Sequence, residues 1–307
     1  MDMSSTGFSH GPGAGCAVVM AHPDDEVLWA SSVLADAGKV ILCFGDFPGK
    51  PVFSQGRRRA VAQLPLPGLA ALQIEESAMA GTAAWPMPEE LPEGLAPRRL
   101  PFGMEAPLRR SYQANFARLQ AALEVQLADC AEVVTHNPWG EYGHEDHVQV
   151  FRAVLAVQRK LGFRLWVTSY VGERAMGLMQ RNLDLLGAPT RPRPTNAELG
   201  DRLRRIYMEN VCWSWPDDYI WPEVEWFYPV LSPAEQDARA GQSGGYPVRP
   251  VRINLIQTGW TPEPGGRHMM RCMLRSLKMR AVRRVPELGP RLERLSYRRA
   301  ERRAARD

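Results

Sequence analysis

The chain has 307 residues, 45% of them hydrophobic and 23% charged, enough to bury one large core. Five dispersed cysteines with no CxxC pair exclude a disulfide framework and a cysteine zinc site. With no signal-like start and no run of about 18 apolar residues, the reading is cytoplasmic and not membrane-spanning. The net charge of +4 is uneven, because residues 267–307 hold fourteen Lys or Arg against four Asp or Glu and the remainder of the chain is net acidic.

In chain order, "CAVVMA" (16–21) predicts a fully buried strand. "EVLWASSVLADAG" (26–38) has helical spacing and a glycine stop at Gly38, and "VILCF" (40–44) is a second apolar strand. Strand, helix and strand open a parallel sheet. Residues 47–102 are proline-rich and predict a long lid, with at most a short helix near "GRRRAVAQL". A helix over 111–130, the strand "AEVVTHN" (131–137), a helix over 145–162 and the strand "RLWVTSY" (164–170) continue the alternation. The expected fold is a Rossmann-like three-layer α/β sandwich with a mostly parallel sheet and C-terminal additions. Its core spans 15–170, including the insert 47–102. An extension of the same domain over 171–266 follows, with two helices, an aromatic cluster at 212–229 and a strand in "VRINLIQ". A basic helical tail closes the chain over 267–307.

Chemistry concentrates where two strands end. "VVMAHPDDEVLWA" (18–30) turns from apolar to charged within a few residues, placing His22, Asp24, Asp25 and Glu26 at the end of the first strand. "THNPWGEYGHEDH" (135–147) places His136, Tyr142, His144, Asp146 and His147 after another. Ligands of open α/β sheets bind beyond the carboxyl ends of the strands, so both motifs face one crevice if both strands join one parallel sheet. Two histidines and a carboxylate with an open fourth position make a catalytic Zn²⁺ site, and a spare carboxylate beside it can take a proton from water. A helix start alone would account for the acids, which favour the helix dipole, but not for the histidines.

"AHPDDE" (21–26) together with "NPWGEYGHEDH" (137–147) resembles the LmbE-like, or PIG-L, family of zinc-dependent N-deacetylases, over about residues 15–170. The resemblance implies hydrolysis of the acetamide of an N-acetylglucosamine-type sugar or glycoconjugate. It makes His22, Asp25 and His147 the zinc ligands and Asp24 the general base. His144 would assist the oxyanion or protonate the leaving amine, Asp146 would orient His144 or a ligand imidazole, and Tyr142 would help stabilise the tetrahedral intermediate. Fe²⁺ accepts the same ligands. The pocket-shaping stretches depart from the family: "EVLWASSVL" and "FGDFPGKPVF" lack its glycine-rich and Thr-rich character, and "GRRRAVAQL" lacks a glutamate. A non-sugar amide substrate, or a non-catalytic glycan-binding protein on the same fold, are the alternatives.

Glu26 is read equally as a helix-start acid or as support for the site, and His136 as a hydrogen-bonded histidine supporting its loop. Trp213, Trp215, Trp221 and Trp226 could stack on sugar rings but fit core or interface packing better. In the tail, Met269, Met270, Met273, Leu274 and Leu277 among arginines make an amphipathic basic helix, suited to an anionic membrane surface or to docking on the body. No nucleic-acid motif accompanies the charge. The oligomeric state is not legible.

Overall fold

The computed structural model describes residues 9–241, 251–262, 265–285 and 287–304. In chain order the elements are β1 (Ala17–Met20), α1 (Asp25–Trp29), α2 (Ser31–Leu34), β2 (Lys39–Asp46), α3 (Pro51–Val61), β3 (Leu69–Glu75) and the hairpin β4 (Glu90–Leu91) and β5 (Gly94–Leu95). Next come α4 (Ala106–Gln126), β6 (Glu132–Thr135), α5 (Glu145–Leu161), β7 (Arg164–Thr168), β8 (Tyr170–Gly172), α6 (Met176–Asn182), β9 (Arg193–Pro194) and α7 (Ala197–Glu209). The chain continues with β10 (Val224–Glu225), β11 (Phe227–Pro229), α8 (Pro233–Gly241), β12 (Asn254–Ile256), α9 (Gly265–Arg284) and α10 (Leu288–Ala304).

The main sheet has the order β11-β7-β6-β1-β2-β3, parallel throughout except for the antiparallel edge strand β11. Strand alternation sorts its residues onto two faces. Val19 of β1, Ala21 just beyond it and Ile41 of β2 pack with Leu119 and Leu123 of α4 and Val150 and Val154 of α5. Val18, Met20 and Leu42 pack with Leu28 of α1, Leu34 of α2, Phe53 of α3 and Tyr207 of α7. These are the three layers of a Rossmann-like sandwich. The order in which strands are added reverses between β1 and β6, whose parallel register pairs Ala17 with Val133 and Val19 with Thr135. Both motifs therefore leave adjacent strands at the switch point, where the crevice of such a sheet opens.

Three expectations change. The helix expected over 26–38 is two short helices broken at Ala30, because the buried carboxylate of Glu225 in β10 accepts the Ser32 amide at 2.9 Å in the first turn of α2. Residues 47–102 are no loop: α3 covers one sheet face, and β3 is an edge strand paired to β2 through Val40 and Leu69. Its half-buried residues, next to proline-rich turns, lack alternation and offer only the four-residue apolar run Leu69 to Leu72, too short to tell strand from helix, so β3 was not legible. The stretch called a basic tail is two helices docked on the body. Cys272, Ser276, Met279 and Val282 of α9 are buried, as is Glu293 of α10, whose carboxylate accepts the Val52 and Phe53 amides at 2.9 and 3.0 Å in the first turn of α3. The docked part thus extends beyond Arg284. No described helix is long and apolar enough to cross a membrane.

Candidate active site

The first motif starts as β1 ends. Asp24 adopts φ 103°, a left-handed conformation that costs a non-glycine residue on the order of 1–3 kcal/mol and survives only where its surroundings enforce it. Here Glu26, fully buried, accepts the Asp24 amide at 3.1 Å and the Tyr207 hydroxyl of α7. Burial lifts Glu26 to about 8 against these two hydrogen bonds. Of its two readings, the contacts match support for the site.

The buried Asp24 carboxylate accepts the Ser214 hydroxyl at 2.5 Å and the Ser214 amide at 3.3 Å. Burial, then the neighbouring Asp25 charge, pushes its pKa up to about 7, which suits a group that takes up a proton near neutrality.

Asp25 turns inward. Its Oδ1 accepts the Trp29 indole N–H at 2.9 Å and its Oδ2 accepts the His22 amide at 2.8 Å. Oδ2 lies 3.1 Å from His22 Nδ1 and 3.2 Å from His147 Nε2. Ligand atoms around a tetrahedral ion with bonds of about 2.0–2.1 Å stand ~3.3 Å apart, which the His147 spacing fits, whereas His22 Nδ1 is hydrogen-bonded to Oδ2.

The second motif is built by a tight turn after β6. Gly140 has φ +67°, and a Cβ there would meet the His144 carbonyl at 2.5 Å, so only glycine lets the loop fold back onto α5. Glu141, with φ 51°, points its fully buried carboxylate between two imidazoles, accepting His136 Nδ1–H at 2.9 Å and His147 Nδ1–H at 2.8 Å. Against the cost of burial, His136 and His147 hold Glu141 down to about 2. These bonds fix both tautomers. His136 Nε2 accepts the Ala21 amide at 2.8 Å, so its lone pair is spent and it braces the loop as expected. His147 Nε2 has no hydrogen-bond partner and faces the site.

His144 is the N-cap of α5, its Nδ1 accepting the Asp146 amide at 3.2 Å, so a neutral ring keeps its proton on Nε2. Burial and the neighbouring His147 and His22 drive its pKa well down. The Asp146 carboxylate turns away from His144 toward His22, 3.5 Å from Nε2. Of the two imidazoles expected beside Asp146, its side chain stands next to His22, and His144 is held by the main chain.

Four buried atoms of the two motifs have no hydrogen-bond partner: His22 Nε2, His147 Nε2 and both carboxylate oxygens of Asp146. Glu76 Oε1, at the end of β3, is 3.7 Å from His22 Nε2. Ligand atoms close enough for one ion occur in three overlapping groups: His22, His144 and His147; Asp25, His136 and His147; and His22, Glu76 and Asp146. His22 and His147 each belong to two of them, and none of the three is the expected set of His22, Asp25 and His147. Although burial alone disfavours charge, the surrounding carboxylates raise His22 to about 10 and His147 to about 9. A nest that draws protons onto two buried imidazoles is one whose donors fit a divalent cation.

His22, Asp24, Asp25, Tyr142 and His144 line a cavity of about 480 Å³, the size class of small-molecule sites. Tyr142 packs edge-on to Trp215, ring centres 5.2 Å apart. Of the aromatic cluster, Trp215 lines this cavity, whereas Trp221 is buried with its indole N–H on the Val27 carbonyl at 2.8 Å. Sequence reasoning missed Glu141, Glu76 and Ser214, and it missed that Arg57 of α3 finds its glutamate at position 76, 2.6 Å away. Only the glycine-flanked Glu141 had a signal, as an acid inside the motif.

No protein-family model matches the chain, and no curated protein matches it in sequence. Among solved structures, it is similar to the A40926 pseudoaglycone deacetylase Dbv21 at 17% identity, covering 72% of this chain and 98% of that one, with a TM-score of 0.46. The zinc-inhibited form of teicoplanin deacetylase Orf2 is 14% identical over 70% of this chain and 97% of that one, also with a TM-score of 0.46. A deacetylase–teicoplanin complex reaches 0.43 at 14% identity, over 70% of this chain and 98% of that one. Scores this low mark a distant likeness in outline.

Proposed function

We propose that the chain is a zinc-dependent N-deacetylase of the LmbE-like or PIG-L kind, removing the acetyl group from an N-acetylglucosamine-type sugar or glycoconjugate. The observation that carries this reading is that Asp25 Oδ2 lies within 3.2 Å of both His22 and His147, each with an unpartnered buried Nε2, beside a separate, differently held carboxylate, Asp24. His22, Asp25 and His147 would hold the ion. Bound there, a divalent cation supplies a Lewis acid that polarises the acetamide carbonyl and acidifies water.

The residues divide the remaining work. Asp24 takes the proton of the attacking water, and Ser214 fixes which carboxylate oxygen faces inward. The water oxygen bonds to the carbonyl carbon, and the oxyanion that forms meets the Nε2–H of His144 and the Tyr142 side of the cavity. As the C–N bond breaks, the amine nitrogen takes the proton that Asp24 removed from the water, giving acetate and a free amino sugar. Glu141 keeps His147 turned with Nε2 inward, the usual part of a carboxylate behind a ligand imidazole.

A panel of N-acetylated sugars, glycoconjugates and non-sugar N-acyl amides, assayed for released amine, tests this. Release is expected from the N-acetylglucosamine compounds and is expected to stop with a chelator and return with Zn²⁺. Turnover confined to non-sugar amides moves the substrate class, and metal binding without turnover of any amide leaves a glycan-binding protein.

A second reading concerns α9, where Met270, Leu274 and Leu277 form an exposed stripe at helical spacing opposite the docked face. We propose that this stripe and its arginines rest on an anionic membrane surface. Co-sedimentation with vesicles should rise with the anionic lipid fraction and fall with salt, and indifference at low salt removes the reading.

A further inference from the structure

A second cavity, of about 380 Å³, opens beside the first, and Arg275 of α9 lines both. Arg98, Arg174, Arg271 and Arg275 come to it from three separate parts of the chain, and no carboxylate is among its described lining residues. Arg98, Arg174 and Arg275 form no ion pair among the described residues. Arg174 is anchored on the Tyr142 and Gly143 carbonyls at 2.8 and 2.7 Å and covers Trp85, and Arg275 donates to the Ala80 carbonyl. The Arg174 and Arg275 guanidinium groups are therefore positioned by main-chain oxygens without a carboxylate partner among the described residues. On the side of the catalytic cavity, Lys50 and Arg275 each stand 5.6 Å from the ring centre of Phe47. Gathering this many like charges in one recess is unfavourable by itself and is relieved by a bound anion, for which guanidinium forks are the matched donors. Elsewhere, the buried Arg57 and the half-buried Arg152 each meet a glutamate at 2.6 Å.

We propose that this arginine-lined cavity is an anion subsite of the catalytic cavity, and that the substrate carries a phosphate or diphosphate group which binds there while its acetamide faces Asp24. The substrate part of this inference rests on the deacetylase reading; the anion site does not. Arg275 is the link, because one side chain borders both spaces. The C-terminal helix α9 thereby becomes a specificity-determining wall of the site.

The test uses the full chain with its metal and inorganic pyrophosphate as the probe, titrated by calorimetry. Wild-type protein is expected to bind it, and Arg98→Gln and Arg275→Gln are each expected to weaken binding by roughly ten-fold or more, the loss of a charge-assisted hydrogen bond. Because Arg275 is half-buried and its replacement could loosen α9, Arg271→Gln at an exposed position serves as a further variant, with a smaller loss in the same direction. His147→Ala should retain pyrophosphate binding. Binding that survives in all three arginine variants, or that disappears with His147→Ala alone, puts the anion on the metal centre and overturns the subsite.

In turnover, the kcat/KM ratio of N-acetylglucosamine 1-phosphate to its neutral methyl glycoside should exceed about ten in wild type and collapse toward one in Arg98→Gln. A ratio near one in wild type overturns the substrate claim. Competition by phosphatidylinositol vesicles would assign the phosphate to a lipid headgroup, and competition by the soluble sugar phosphate alone would assign it to a small molecule. Both results sustain the subsite. Pyrophosphate binding through the arginines without hydrolysis of any N-acetyl sugar would keep the subsite and discard the deacetylase reading.

Discussion

Asp24→Asn is expected to leave the fold and the bound metal in place and to lower turnover by roughly 10² to 10⁴, the usual contribution of a positioned general base. Asparagine is the informative replacement because it tolerates the left-handed conformation that Asp24 adopts at φ 103° and can still accept the Ser214 hydroxyl. What it loses is only the capacity to take a proton. In the wild type, Asp24 must be deprotonated to act, so the rate falls as pH drops through its pKa. Burial and Asp25 place that pKa at about 7, and a cation bound beside Asp25 draws it down from there, so the acid limb lies below neutrality. Residual Asp24→Asn activity should lack this limb. Steady-state kinetics across pH, with metal content measured on the same samples, decide the matter. Wild-type turnover in Asp24→Asn takes the proton transfer away from this residue.

The other large effect falls on metal retention. Protein purified without chelator is expected to carry about one divalent ion per chain, and His22→Ala or His147→Ala to lose most of it, since a site with three protein ligands has none to spare. Glu141→Gln should be graded differently. The amide can still contact one imidazole but cannot accept from both His136 and His147 as the buried carboxylate does, so the metal is expected to bind about 10- to 100-fold more weakly rather than vanish. Competition with a chromogenic chelator separates the two behaviours. Full occupancy in His22→Ala and His147→Ala removes these histidines from the ligand set, and unchanged affinity in Glu141→Gln removes Glu141 from its supporting role.

These variants probe different depths of legibility. His22, Asp24, Asp25, His144 and His147 were readable because each follows a strand whose apolar run is unmistakable in one dimension, and because parallel sheets bring strand ends together. The sandwich itself was readable for the same reason: β1, β2, β6 and β7 each carry a short buried apolar run, and the runs are spaced by helices. The edge strand β3 was not, because a half-buried strand beside proline-rich turns has no distinctive period. The C-terminal helices were legible as helices and as basic, but not as part of the cavity.

By itself, then, the sequence determined the parallel α/β core and the two motifs at its crevice, since both follow from local periodicity and from chain direction along a sheet. Tertiary structure alone decided what holds and surrounds those motifs. Ser214 reaches Asp24 across 190 residues, Glu293 reaches the α3 amides at Val52 and Phe53 across 241 and 240, and Arg275 reaches Ala80 across 195. Glu141 is only six residues from His147, yet its bridging position depends on a left-handed turn that residue spacing does not encode. Hydrogen bonds and charge pairs form between groups that packing brings within about 3 Å, and which groups those are is set by how separate elements dock, a property no single stretch of sequence contains.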